Sequence, residues 1–201
     1  MIVIGITGGV GAGKTSVLEY LRENTDSLII VADQVANDIK EPGECCYEKL
    51  LEILGEGILQ EDKRINRKVM AEMIFSDSKL LQKVNDIIHP AVKETILKRI
   101  EEAGSKTTTK VVFLEAALLI EAGYLPYLDE LWYLHVDEKV RAERLKISRE
   151  YSAEKIRNIN KNQLSEMEFK KYADVIIENN GEFTETEEKL KKECLRLNLW
   201  K

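Results

Sequence analysis

Eight consecutive residues near the start of the chain, Gly8-Gly9-Val10-Gly11-Ala12-Gly13-Lys14-Thr15, satisfy the pattern G-x-x-x-x-G-K-[ST]. The pattern suits phosphate. Its glycines let the backbone wrap with N–H groups pointing inward at anionic oxygens. The lysine reaches the β- and γ-phosphates of a nucleotide, and the hydroxyl after it is a ligand for Mg²⁺. Gly11, Ala12, Gly13, Lys14, Thr15 and Ser16 are therefore read as nucleotide contacts, with Thr15 also the metal ligand. The dinucleotide fingerprint G-x-G-x-x-G is excluded, because Gly9 and Gly11 are followed by Lys14.

Two carboxylates close apolar runs that read as strands. Asp33 follows Leu28-Ile29-Ile30-Val31-Ala32, and Glu115 follows Val111-Val112-Phe113-Leu114. In a parallel sheet ligands sit at the carboxyl ends of the strands, so both acids would face the glycine loop. Phosphoryl transfer needs cations to neutralise charge and a carboxylate to orient or deprotonate the attacking hydroxyl. Asp33 is read as that base, and Glu115 as an outer-shell metal ligand or a substrate contact. The plainer alternative for each is a helix N-cap or a solvated strand end. His89, before Pro90 on an apolar helix, is either an acceptor contact or a packing residue, while His135 alternates within a strand and reads as structural. Arg141, Arg144 and Arg149 form a basic stretch with Lys139 and Lys146. It is either a solvated face paired with Glu138, Glu143 and Glu150, or a mobile lid whose arginines meet the transferring phosphoryl group and exclude water. Arg64 and Arg67 are candidates for substrate phosphates or for plain solvation.

These residues need a frame. Residues 1–7 read as a strand buried on both faces, followed after the loop by a helix from Ser16 to Glu23. Further strands are expected at 28–33, 110–115, 131–136 and 173–178. Residues 44–103 read as mostly helical, with His89-Pro90 expected to kink or restart the helix. Glu138 to Lys146 reads as a charged helix, and Thr184 to Leu197 as an amphipathic one capped by Thr184 or Thr186. Five apolar strands separated by helices imply an α/β fold with a parallel sheet covered on both faces.

At 201 residues the chain reads as one compact domain, with room for small inserted subdomains. Net charge is −6, from 36 acidic and 30 basic residues, which argues against coating nucleic acid. The three cysteines, two of them adjacent, do not suggest a disulfide framework. No apolar run approaches membrane-spanning length and no leader pattern precedes the first strand, so no membrane partner is expected and the cytoplasm is the expected location.

Taken in order, the motifs resemble the dephospho-CoA kinase family. The resemblance runs through Ile4 to Thr15, Ala32-Asp33-Gln34-Val35-Ala36, Glu41-Pro42-Gly43, Arg64-Ile65-Asn66-Arg67, Phe75, Ile88-His89-Pro90, Leu118-Leu119-Ile120-Glu121, Gln163, and Ala173 to Gly181. It implies a three-layer α/β/α P-loop NTPase fold with a five-stranded parallel sheet, a helical substrate-binding insertion and a lid. The implied parts are a nucleotide core (about 1–38, 105–138 and 172–201), a CoA-binding insertion (about 39–104) and a lid (about 139–171). It implies use of ATP and Mg²⁺ to phosphorylate the ribose 3′-hydroxyl of dephospho-CoA. Asp33 matches the family's catalytic acid, Lys14 and Arg144 complete the implied catalytic set, and Asn179 and Asn180 match the turn lying against adenine. Arg67, His89, Leu118 and Glu121 match acceptor contacts. Three positions depart: Val31 stands where the family has an acid, Glu115-Ala116-Ala117 replaces acid-x-proline, and four residues intervene between Arg144 and Arg149 rather than three. Two rivals stand beside this reading. A related P-loop kinase with a nucleoside or nucleotide acceptor would differ in the insertion. A nucleotide switch would need N-K-x-D, and Asn160-Lys161-Asn162-Gln163 lacks its final acid.

Overall fold

A computed structural model describes residues 1–149, 151–152, 154–156 and 163–201, with the backbone alone for Ser148 and Arg149. Five strands, β1 (Ile2–Thr7), β2 (Ser27–Val31), β3 (Val111–Glu115), β4 (Glu130–His135) and β5 (Val175–Glu178), form one parallel sheet in the order β2-β3-β1-β4-β5. The first strand lies at the centre. It pairs with β3 from Ile2↔Val111 to Ile6↔Glu115, and with β4 from Ile4↔Glu130 to Thr7↔Tyr133. A central strand with helices over both faces must be apolar on both sides, which is why Ile2-Val3-Ile4-Gly5-Ile6 shows no alternation. The edge strand β5 is correspondingly less buried, with Ile176 exposed.

Eight helices are described: α1 (Lys14–Asn24), α2 (Ala32–Asp38), α3 (Tyr47–Leu54), α4 (Arg67–Ser76), α5 (Ser78–Gly104), α6 (Glu138–Arg149), α7 (Glu166–Tyr172) and α8 (Phe183–Arg196). The chain divides into two units, each with its own core. Met1–Ile30 with Ala103–Lys201 holds the sheet around Ile4, Phe113 and Trp132, and Val31–Glu102 closes around Val35, Leu50, Ile58 and Ile96.

Four local expectations are corrected. The first helix begins at Lys14, two residues early, because Gly13 adopts φ 88° and turns the loop directly into it. Asp33 is not a strand end: β2 stops at Val31, and Asp33 sits in the first turn of α2, where a carboxylate complements the helix dipole. Pro90 neither ends nor restarts α5, which runs from Ser78 to Gly104. A mid-helix proline costs about 3 kcal/mol. Burial of Val84, Val92 and Ile96 along one side of the same helix offsets this, at about 1.5–3 kcal/mol for each large apolar side chain. Neither Thr184 nor Thr186 caps α8. Its N-cap is Glu182, and Thr186 is buried with a hydrogen bond of its own.

Candidate active site

The loop leaves β1 at its carboxyl end and feeds α1 without any side-chain cap, so the helix presents uncapped backbone donors to whatever binds there. Thr15 and Ser16 stand exposed in its first turn. One brace holds the loop from behind. Asn179, just past β5 and 4 % exposed, donates through Nδ2 to the Ala12 carbonyl at 2.8 Å and accepts from the Thr186 hydroxyl at 2.8 Å. Its own backbone N–H donates to the His135 carbonyl. Gly13 is required here twice over: its positive φ disfavours other residues, and a Cβ would lie 2.7 Å from Asn179 Nδ2.

Lys14 folds back over the loop. Its Nζ donates to the Gly8 carbonyl at 2.8 Å and the Gly9 carbonyl at 3.4 Å, and lies 3.6 Å from Glu115 Oε1. Glu115, the last residue of β3 and almost buried, is thus the counter-charge of the loop lysine. Leu118 and Glu121 lie on the turn that follows, both exposed.

The loop's crown has a second set of contacts. Arg141 of α6 lies so close to Gly9 that a Cβ there would run into Nη1. Gln163 Oε1 accepts from Val10 N–H at 3.3 Å and from Arg141 Nη1 at 3.5 Å. Arg144, one turn on, donates to the Gly181 carbonyl at 3.4 Å. Asn180 Oδ1 accepts from the Asp137 N–H at 2.7 Å, which ties the turn after β5 to the start of α6. The side chain of Arg149 and much of the expected lid, including residues 157–162, lie outside the described residues. Asn160-Lys161-Asn162 falls among them.

His135 is buried between carboxylates: Nδ1 is 2.8 Å from Glu178 Oε2 and Nε2 is 3.2 Å from Glu166 Oε1. Its ring packs edge-on to Tyr133, which stacks on Phe169 and whose phenol is pushed up to about 12 by burial and the nearby Glu166. This is a packing role.

Within Val31–Glu102, Asp33 is exposed on α2. Lys40 is half-buried in the field of both Asp33 and Arg67, and its pKa is lowered, first by burial and then by Arg67. Glu41 lies 3.2 Å from Arg64 Nε through one oxygen and 3.8 Å from Arg67 Nη2 through the other. Arg67 opens α4, whose cap is Asn66, accepting from the Lys68 and Val69 amides. His89 is exposed midway along α5.

Sequence reasoning found the loop, Lys14 and the Asn179-Asn180 turn. It missed Asn179's bond to the loop, the Lys14–Glu115 pair, and the placement of Arg141 and Gln163 on the crown. Arg141 and Arg144 share a helical face, and that spacing was the available signal.

A sequence model of the family described as dephospho-CoA kinase matches residues 2–185. The dephospho-CoA kinase of Carboxydothermus hydrogenoformans is 35% identical over 188 residues, covering 94% of this chain and 90% of that protein. That of Oceanobacillus iheyensis is 34% identical over 200 residues, covering 98% of each. A crystal structure of a Thermus thermophilus protein superposes with a TM-score of 0.79 at 27% identity, covering 98% of this chain and 97% of that one.

Proposed function

Because the chain belongs to the dephospho-CoA kinase family, whose members are ATP-dependent kinases, we propose that it transfers the γ-phosphate of ATP to the ribose 3′-hydroxyl of dephospho-CoA. The products are CoA and ADP, at the last step of coenzyme A synthesis. The observation that carries this is a phosphate loop with an uncapped helix behind it, in a chain that matches the family over residues 2–185.

The loop amides and Lys14 take the β- and γ-phosphates, with Lys14 leaving the Gly8 carbonyl to do so. Asp33 accepts the proton of the 3′-hydroxyl as its oxygen bonds to the γ-phosphorus, and the bond from that phosphorus to the β–γ bridging oxygen breaks to release ADP. Arg144 offsets charge on the transferring group. Arg67, His89, Leu118 and Glu121 serve the acceptor. Asn180 shapes the turn against adenine, and Asn179, whose carboxamide is taken by Ala12 and Thr186, supports that turn from below.

Mg²⁺ fits the donor set. Among the described residues no cluster of three or more His, Cys, Asp or Glu side chains forms a cage, and Thr15 offers one exposed hard oxygen. That suits an ion held chiefly by nucleotide phosphates and water. Bound there, it would neutralise phosphate charge. Among the described residues no helix is long and apolar enough to cross a membrane. The three cysteines are free thiols, which supports a reducing cytoplasmic setting.

The test is acceptor labelling. ATP carrying ³²P at the γ-position is offered with dephospho-CoA, nucleosides and nucleotides in parallel. Label on dephospho-CoA alone is the expected result. Label on a nucleoside or nucleotide instead would replace the acceptor while keeping the kinase.

A further inference from the structure

Gln163 stands out among the residues around the loop. Its side-chain oxygen reaches the crown, where it lies 3.2 Å from the position a Gly9 Cβ would take. It accepts from two donors of different kinds, the Val10 backbone N–H and the Arg141 guanidinium. Both partners only donate, so the carboxamide must present its oxygen rather than its nitrogen to them. A neutral oxygen thus sits where a loop amide and an arginine converge. A phosphate oxygen is the ligand such a pair is suited to hold.

Position along the loop says which phosphate. The α1 N-terminus forms the inner end, which takes the inner phosphates, and Lys14 spans the β- and γ-phosphates. Val10 and Gly9 are at the outer end, and an arginine over the outer end is where charge on a transferring phosphoryl group is met. We propose that Gln163 is a positioning residue that occupies the terminal-phosphate subsite while no nucleotide is bound. Its oxygen keeps the Val10 amide and Arg141 aimed inward until the γ-phosphate of a nucleoside triphosphate displaces it. A diphosphate, ending one phosphate short, leaves Gln163 in place. The residue therefore sets the balance between triphosphate and diphosphate. This rests on the loop binding ATP.

The experiment measures equilibrium affinity for ATP and for ADP, without acceptor, in the full chain and in Gln163→Leu, Gln163→Asn and Gln163→Glu. Leucine keeps the bulk and removes the acceptor, and asparagine is too short to reach the loop. Both should bind ATP about 2- to 10-fold tighter, the net scale of losing two long competing hydrogen bonds, with ADP unchanged. Glutamate places a charge beside the terminal phosphate and should weaken ATP by about tenfold, again sparing ADP. Thermal unfolding of each variant checks that it folds. A merely structural Gln163 would shift both nucleotides alike, and equal shifts, no shift, or weaker ATP binding in Gln163→Leu would overturn the inference alone. Failure of the unaltered chain to bind ATP would overturn the nucleotide reading itself and the inference with it.

Discussion

Asn179 Nδ2 donates to the carbonyl of Ala12 at 2.8 Å across 167 residues of chain, and both groups are buried. The last strand of the sheet thereby sets the curvature of the loop that follows the first. Asn179→Ala should leave the Ala12 carbonyl unsatisfied, which costs about 1–3 kcal/mol for a buried group, while the Thr186 hydroxyl keeps the Glu178 carbonyl at 3.4 Å as an acceptor. The expected outcome is lower stability in urea and a raised KM for ATP, with KM for the acceptor unaffected.

Lys14→Ala should nearly abolish turnover, a loss of at least about 10²–10³ in kcat, because a donor aimed at developing charge is removed. Lys14→Arg should not restore it, since a planar fork cannot replace a compact ammonium packed on the Gly8 and Gly9 carbonyls. Steady-state kinetics with dephospho-CoA reads both.

Asp33→Asn should lower kcat by about 10² or more while ATP affinity stays near that of the unaltered chain. The carboxylate is exposed in the first turn of α2, so the fold should tolerate the change. Undiminished kcat in this variant would remove Asp33 from the role of base.

Arg196 holds the Glu130 carboxyl below its usual range through a hydrogen bond, aided by the Trp132 indole N–H. A carboxylate with a depressed folded pKa contributes stability above its ordinary value of 4.5, and the contribution is lost as pH falls through the depressed value. Arg196→Met should lower Tm at pH 7 by about 2–4 °C, the scale of 1 kcal/mol in a chain of this size. The gap should close in acid. A pH series of thermal melts measures it.

Thiol reactivity should be ordered. Burial pushes the Cys46 thiol up to about 11 and Cys194 up to about 12, while Cys45 is exposed. An alkylating reagent at neutral pH should modify Cys45 first and the other two only after unfolding, as mass spectrometry of the digested protein would show.

The strands and the loop were legible because their signals are local. A run of β-branched residues buried on both faces needs no partner to be recognised, and Gly8 to Thr15 carries its chemistry in its spacing. What escaped was set by distant partners. Pro90 reads as a break until the burial of Val84, Val92 and Ile96 is known. Thr186 reads as a cap until Asn179 takes its hydroxyl. Arg141 and Arg144 read alike as lid arginines on one helical face, and only the tertiary path puts Arg141 on Gly9 and Arg144 on the Gly181 carbonyl.

The strand order carries a consequence for synthesis. β1 is flanked by strands whose first paired residues are Val111 and Glu130, and the loop's brace arrives only at residue 179. A ribosome releases the phosphate loop early, and for most of translation it lacks this brace. A polypeptide truncated before β5 would bear the motif without the Asn179 bond that holds its Ala12 carbonyl.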